Sequence, residues 1–254
     1  MNGKELRLKE LFKHSQRTFI LPMDHGITIG PVQGLEDIPP VVKQVSDKVD
    51  ALLVHKGLVG QVSDYLGPKG CRLIVHLSAS TALSPDPTRK EMVTTVYHAI
   101  RLGASAVSVH VNLGSNGESS MLKDLGTVAE RCEYWGMPLL AMMYVRDGSK
   151  ESEYDPVKIK HAARVAEELG ADIVKVNYTG SIESFSEVVN SVKIPVIIAG
   201  GPKMSSDADL MAMVADAVKA GARGVAIGRN VFQHQDPAAL AGQIRRILDG
   251  DLPG

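Results

Sequence analysis

The stretch DPVKIKHAARVAEELGADIVKVNYTG, Asp155–Gly180, contains one complete structural unit. In its first half, Ile159, Ala162, Ala163, Ala166 and Leu169 recur at helical spacing, so Asp155–Leu169 predicts an amphipathic helix. Gly170-Ala171 closes that helix, because glycine readily takes the left-handed backbone that ends one. The short apolar run Asp172–Val176 (DIVKV) follows, the signature of a strand covered on both faces in a parallel sheet. Polar residues from Asn177 to Thr179 then mark the strand's carboxyl end.

The same grammar repeats along the chain. Apolar runs occur at Thr18–Pro22, Ala51–His55, Arg72–Leu77, Ala106–Val111, Pro138–Met143, Asp172–Val176, Pro195–Ala199 and Gly224–Ile227. Amphipathic stretches are predicted at Asp86–Leu102 and Ser206–Ala220 as well, and Gly103-Ala104 and Gly221-Ala222 repeat the closing pair. Eight alternating strand–helix units predict one α/β domain over residues 1–254, a closed (β/α)8 TIM barrel. Residues 1–14 are expected to form a leading helix under the barrel, and the unit between the second and third strands is too short for a clear helix.

The 28 Lys plus Arg and 29 Asp plus Glu give a formal net charge of −1, without the basic footprint of a nucleic-acid binder. The first residues lack the apolar stretch of a signal peptide, and no apolar run approaches the roughly 18 residues of a membrane span. Cys71 and Cys132 form no Cys-x-x-Cys pair and suit a reducing compartment. The expectation is a cytoplasmic protein that binds neither nucleic acid nor membrane.

In a barrel of this kind the chemistry sits at the carboxyl ends of the strands. Those ends carry Asp24 and His25, His55 and Lys56, His76, His110, Tyr144 and Arg146, Lys175, Gly200-Gly201, and Gly228-Arg229. Lys175 is the sharpest signal. Period two puts it on the same face as Ile173, so an inward-facing strand buries its ammonium, and burial favours the neutral amine that forms a Schiff base. The alternative is a structural lysine paired with a carboxylate, and Lys56 is a competing Schiff-base or substrate-binding candidate. Tyr144 offers a rim phenol for proton transfer, or packs as an ordinary tyrosine. Asp24 can shuttle protons during carbinolamine formation, or only fix loop geometry. Gly200, Gly201, Gly228 and Arg229 follow the last two strands, where such barrels bind phosphate. Glycines let backbone N–H groups approach the anion, and arginine adds a forked contact. A metal site from His55, His76 and His110 is imaginable, but a Schiff-base lysine makes it unnecessary. The histidines are expected instead to hydrogen-bond one another and the substrate, His110 among them.

The segments PMDHG at residues 22–26, LVHKG at 53–57, CEYWGMP at 132–138, AMMY at 141–144, DIVK at 172–175, AGGPK at 199–203 and GRNVFQH at 228–234 resemble archaeal-type class I aldolases over nearly the whole chain. The resemblance implies a lyase or transaldolase with Lys175 as the Schiff-base residue, Tyr144 as proton donor and Asp24 as acid/base partner. It implies substrate contacts from Asp24, His25, Gly26, Ile27 and Thr28, from Tyr144, Val145 and Arg146, and from the two glycine doublets. It also implies a phosphorylated sugar donor, an aldehyde acceptor, no cofactor or metal, and a homo-oligomer. Within the family the chain is most similar to enzymes that join a three-carbon unit from a deoxy-diulose phosphate to L-aspartate 4-semialdehyde, on a route to aromatic amino acids. The alternatives are a fructose-1,6-bisphosphate aldolase, a condensation of dihydroxyacetone phosphate with the same semialdehyde, and a non-catalytic phosphosugar-binding regulator.

Overall fold

The structure, a computed structural model, describes residues 3–14 and 16–251. Eight parallel strands close into a barrel: β1 (Thr18–Pro22), β2 (Ala51–Val54), β3 (Arg72–His76), β4 (Ala106–Leu113), β5 (Leu139–Val145), β6 (Ile173–Val176), β7 (Val196–Ala199) and β8 (Gly224–Ala226). Each strand pairs with its sequence neighbours, and β8 returns to β1 with Phe19 opposite Val225. All eight predicted strands are present. β4 and β5 run two residues past their predicted ends, so Asn112 and Tyr144 belong to strands rather than loops.

Helices Pro156–Glu168 and Asp207–Lys219 form where the apolar spacing places them. The Asp155 side chain caps the first by accepting the Lys158 N–H, with Pro156 in its first turn, and Ser206 caps the second by accepting the Asp209 N–H. Between β2 and β3 there are only the short helical turns Lys56–Leu58, Val59–Val62 and Ser63–Tyr65.

The predicted helix over 86–102 is corrected: only Val96–Arg101 is helical, capped by Thr95. Upstream, Asp86 turns its carboxylate onto the Thr88 N–H (3.0 Å) and hydroxyl (2.5 Å), and Pro87 supplies no N–H for a helix. Glu91–Met92 instead pairs antiparallel with Ser78–Ala79, making a two-stranded ribbon beyond β3. Met92 fits the helical spacing by coincidence, since the local turn chemistry at Asp86 and Pro87 outweighs it.

Strand alternation divides the core in two. Outward residues such as Phe19, Leu21, Val54, Val174 and Val176 pack under the helices. Inward residues Ile20, Leu53, Ile74, Leu140, Met142, Ile173 and Ile197 form a separate cluster inside the barrel. The leading helix, Gly3–Leu11, closes its floor; Met1 and Asn2, also part of that expectation, lie outside the described residues. Leu11 is fully buried in the inner cluster, with Leu8 and Phe12 packed against it. Lys4 fastens the helix to the end of the helix Glu118–Trp135 and the start of β6, 2.9 Å from Glu133 and 3.2 Å from Asp172.

Leu11→Ala is expected to destabilise the protein by about 2–5 kcal/mol, the usual cost of such a core truncation, read as a lower urea midpoint. A midpoint equal to wild type would show that the helix does not plug the barrel.

Candidate active site

Along β3, β5 and β6 the inward stripe changes from apolar at the floor to polar at the mouth. β3 goes from Ile74 to His76, β5 from Leu140 and Met142 to Tyr144, and β6 from Ile173 to Lys175. The mouth opens into a cavity of about 440 Å³ lined by Asp24, His25, Lys90, His110, Tyr144, Arg146, Lys175, Arg229 and their neighbours.

Lys175 is 6% exposed and, among the described residues, has neither a hydrogen bond nor a carboxylate within ion-pair distance. Lys4, by contrast, is a buried lysine with two carboxylates. The paired-lysine alternative for position 175 therefore has no geometric support. Tyr144 faces the same space. Its ring lies 4.8 Å from that of His110, the Arg146 guanidinium sits 5.3 Å over it, and no hydrogen bond holds its hydroxyl among the described residues.

Asp24 follows β1, with its carboxylate 3.6 Å from His25 Nδ1 and 3.8 Å from His76 Nε2. His76 Nδ1 contacts the Ser108 hydroxyl at 2.7 Å, and the His55 ring meets His76 edge-on at 5.2 Å. His110 Nε2 is 2.8 Å from Asn112 Oδ1, and Asn112 donates onward to the Thr88 carbonyl at 2.5 Å. The strand-end histidines are thus held by hydroxyl, amide and ring contacts. Among the described residues no three His, Cys, Asp or Glu side chains are placed to hold a metal ion.

The two glycine doublets form one cradle. A Cβ on Gly228 would lie 2.6 Å from the Pro22 carbonyl, leaving no room for a side chain, and Gly201 has φ +64°, a left-handed backbone that favours glycine. Arg229 donates through Nη2 to the Gly201 carbonyl at 3.0 Å, while its buried Nε has no partner among the described residues. Asn230, which sequence reasoning missed, pins the loop: it donates to the carbonyls of Gly200 (3.0 Å) and Pro202 (3.2 Å) and accepts the Met204 N–H (2.7 Å).

Four expected contacts do not reach the cavity. Lys56 turns away and donates to the Val93 carbonyl at 2.6 Å. Gly26 and Ile27 lie in the short helix Gly26–Ile29, whose turn aims Thr28 and Ile29 inward instead. Val145 points outward between Tyr144 and Arg146, as strand alternation requires. Lys90, Glu153 and Tyr154 line the cavity without having been read from the sequence, and Asn112 and Asn177, legible there only as strand-end groups without a role, line it as well. Asn112 and Asn177 continue the inward stripes of β4 and β6 by period two, a signal available in the sequence.

The sequence pattern of the DeoC/LacD family of aldolases matches residues 18–234. The chain belongs to the DeoC/LacD aldolase family. It is 48% identical over 252 residues to 2-amino-3,7-dideoxy-D-threo-hept-6-ulosonate synthase 1 of Archaeoglobus fulgidus, covering 99% of this chain and 93% of that one. It is 44% identical over 248 residues to 2-amino-4,5-dihydroxy-6-oxo-7-(phosphonooxy)heptanoate synthase of Streptomyces griseus, covering 97% and 90%. Among solved structures, it matches an archaeal fructose-1,6-bisphosphate aldolase whose catalytic lysine is covalently bound to the carbinolamine intermediate of the substrate. That match has a TM-score of 0.87 and 30% identity, covering 98% of this chain and 100% of that one. The chain is a class I aldolase-type lyase.

The electrostatics of this aldolase mouth follow from burial. Burial would raise the Asp24 pKa, but His76, His25, Lys175 and His55 outweigh it and hold the carboxyl at about 2. Burial pushes His76 down to about 4, against the pull of Asp24, and lowers His25, His55 and His110 as well. His76, at about 4, is charged by the time Asp24 takes up its proton at about 2. At neutral pH, Asp24 is a carboxylate among neutral imidazoles and can accept a proton. Because these histidines titrate below their unfolded value of 6.5, the unfolded chain binds more protons as pH falls from 6.5 towards 4. Stability is therefore lost across that window, by about 3 kcal/mol for His76 alone, and Asp24 extends the loss from about pH 4 to about 2. Urea midpoints should fall between pH 7 and pH 4.5, and fall less in His76→Asn. A flat wild-type profile would contradict neutral burial of these imidazoles.

Proposed function

We propose that the chain forms a carbon–carbon bond between a three-carbon ketone unit and L-aspartate 4-semialdehyde through a Schiff base on Lys175, yielding 2-amino-3,7-dideoxy-D-threo-hept-6-ulosonate. The observation that carries this reading is Lys175: a buried amine without a partner, in the same cavity as Tyr144 and Asp24. The full-length similarity to synthases whose named products are amino-keto acids supports the acceptor.

The steps follow from the chemistry of an iminium. Lys175 Nζ adds to the ketone carbon of a phosphorylated ketose, and loss of water from the carbinolamine gives the iminium. The iminium draws in the electrons of the adjacent carbon–carbon bond as the neighbouring hydroxyl loses its proton. An aldehyde departs and an enamine remains. The enamine carbon attacks the aldehyde carbon of the semialdehyde, the new alkoxide takes a proton, and water hydrolyses the iminium to restore the amine. In this scheme the untethered Tyr144 hydroxyl moves the proton at bond cleavage and formation, and Asp24 moves protons as the imine forms and breaks. Gly200, Gly201, Gly228 and Arg229 hold the phosphate, with His25, Thr28, His110 and Arg146 around the sugar. We place the enzyme in the cytoplasm as a homo-oligomer, in keeping with the family resemblance.

A second reading has one observation in its favour. The named products of the two relatives share an amino group on carbon 2 and a ketone on carbon 6, and differ at carbon 7, which is either deoxy or carries a phosphate. The cradle beside Lys175, with the unpartnered Arg229 Nε, suits a donor that keeps its phosphate on carbon 7. The two readings share every step at Lys175.

The test offers L-aspartate 4-semialdehyde together with a deoxy-diulose phosphate, fructose 1,6-bisphosphate and dihydroxyacetone phosphate as donors, with products read by mass. A seven-carbon amino-ketose is expected, and the presence or absence of phosphate on it selects between the two readings. Cleavage of the bisphosphate without any product from the semialdehyde would overturn both.

A further inference from the structure

We infer that the cavity holds a second charged subsite, opposite the phosphate cradle, in which Lys90 binds the carboxylate of an α-amino-acid aldehyde and Glu153 faces its ammonium. The inference rests on the proposed use of aspartate semialdehyde and assigns residues to that acceptor.

Barrel topology fixes the placement. The cradle lies at the ends of β7 and β8. In a ring of eight strands the diametrically opposite position lies between β3 and β4. The ribbon of Ser78–Ala79 and Glu91–Met92 leaves the barrel there, and Lys90 sits at its inner edge, lining the cavity. Arg146 and Glu153 follow β5 on the neighbouring side, with Lys175 on β6 between them and the cradle.

Lys90 is 9% exposed. Its Nζ donates to the Ser80 hydroxyl at 2.6 Å, and that hydroxyl is itself oriented by donating to the Pro87 carbonyl at 2.7 Å. Among the described residues no carboxylate lies within the 4.0 Å of an ion pair. Burial lowers the Lys90 pKa, Asp24 raises it from a distance, and Arg146 lowers it further. An ammonium buried this far with one neutral partner is costly unless an anion joins it. Lys175 is the other such amine in the cavity, and the Schiff base accounts for it. Nothing in the bond-forming chemistry accounts for Lys90.

The groups beside Lys90 indicate which anion fits. Glu153 forms an ion pair with Arg146, and the Glu153 carbonyl accepts from Asn177 Nδ2 at 3.0 Å, which fixes that loop over the cavity. The subsite thus offers cations and a carboxylate together. A zwitterionic head group, one carboxylate and one ammonium, complements both signs, whereas a phosphate dianion would meet Glu153 unfavourably. The cradle carries the guanidinium of Arg229 and no carboxylate side chain of its own, which suits a phosphate better than an ammonium. For a product that keeps its phosphate on carbon 7, the donor phosphate and the acceptor head group therefore bind at opposite ends, with the reacting carbons over Lys175.

The test is steady-state kinetics of the full chain with aspartate semialdehyde, and with propanal as an acceptor lacking both charges. Lys90→Met keeps the apolar stem and removes the charge. The KM for the semialdehyde should rise roughly 10- to 100-fold, as for loss of a charged hydrogen bond. Turnover of propanal and borohydride trapping of the ketose donor should stay at wild-type rates, and Lys90→Arg should restore most of the semialdehyde affinity. An unchanged semialdehyde KM in Lys90→Met would overturn the subsite while leaving the proposed reaction intact. So would a rise in that KM in Arg229→Ala but not in Lys90→Met, or an equal loss with propanal and in donor trapping. If wild type makes no product from the semialdehyde, the proposed reaction falls and this subsite falls with it.

Discussion

The arrangement of the whole mouth depends on an amine buried without a counter-charge. Lys175 sits at the top of an inner stripe whose lower members, Ile173 and its neighbours Leu140 and Ile197, are fully buried and apolar. That layer, sealed from below by Leu11, keeps water from the amine's lower side. Above it are imidazoles, a phenol and Asp24, none close enough to form an ion pair with Lys175. A lysine in this position stays available for carbonyl chemistry because the barrel withholds the carboxylate that would tie it down. The same contrast separates Lys4, a fastener with two carboxylates, from the two cavity lysines, 90 and 175.

Much of this was legible in the sequence, for physical reasons. Strands covered on both faces are forced to be apolar throughout, so eight such runs stood out, and a charge inside one of them, Lys175, could not be ordinary surface. The glycine doublets were legible because Gly201 and Gly228 occupy positions where a Cβ is strained or has no room. Runs of consecutive residues misled where local geometry selects within them. Asp24, His25 and Thr28 reach the cavity while Gly26 and Ile27 do not, and Val145 alternates away between two residues that face inward. Lys56 and Lys90 show the limit most clearly. Both stand near a strand end, and no periodicity tells which one turns inward. That choice is made by the ribbon, whose pairing of Ser78–Ala79 with Glu91–Met92 is tertiary, and by the turn at Asp86 that prevents a helix there.

The mouth also explains how one barrel can serve related bond-forming reactions. The relatives named for 3,7-dideoxy and 7-(phosphonooxy) products share a skeleton and differ at its far end. In this chain the groups proposed for bond formation, Asp24, Tyr144 and Lys175, lie at the ends of β1, β5 and β6, rigid elements of the barrel. The groups assigned to the phosphate and to the acceptor head group lie on the connections after β3, β5, β7 and β8. Changes in those connections can alter what is held without moving the amine, the phenol or the carboxylate.

The claim most exposed to direct measurement is the covalent one. Sodium borohydride added to the enzyme with dihydroxyacetone phosphate reduces an imine to a stable secondary amine, and peptide mass spectrometry locates it. The account predicts irreversible loss of activity with the added mass on the peptide containing Lys175, and no such addition in an inactive Lys175→Ala. Added mass on Lys56 or Lys90 instead, or full activity in Lys175→Ala, would contradict it.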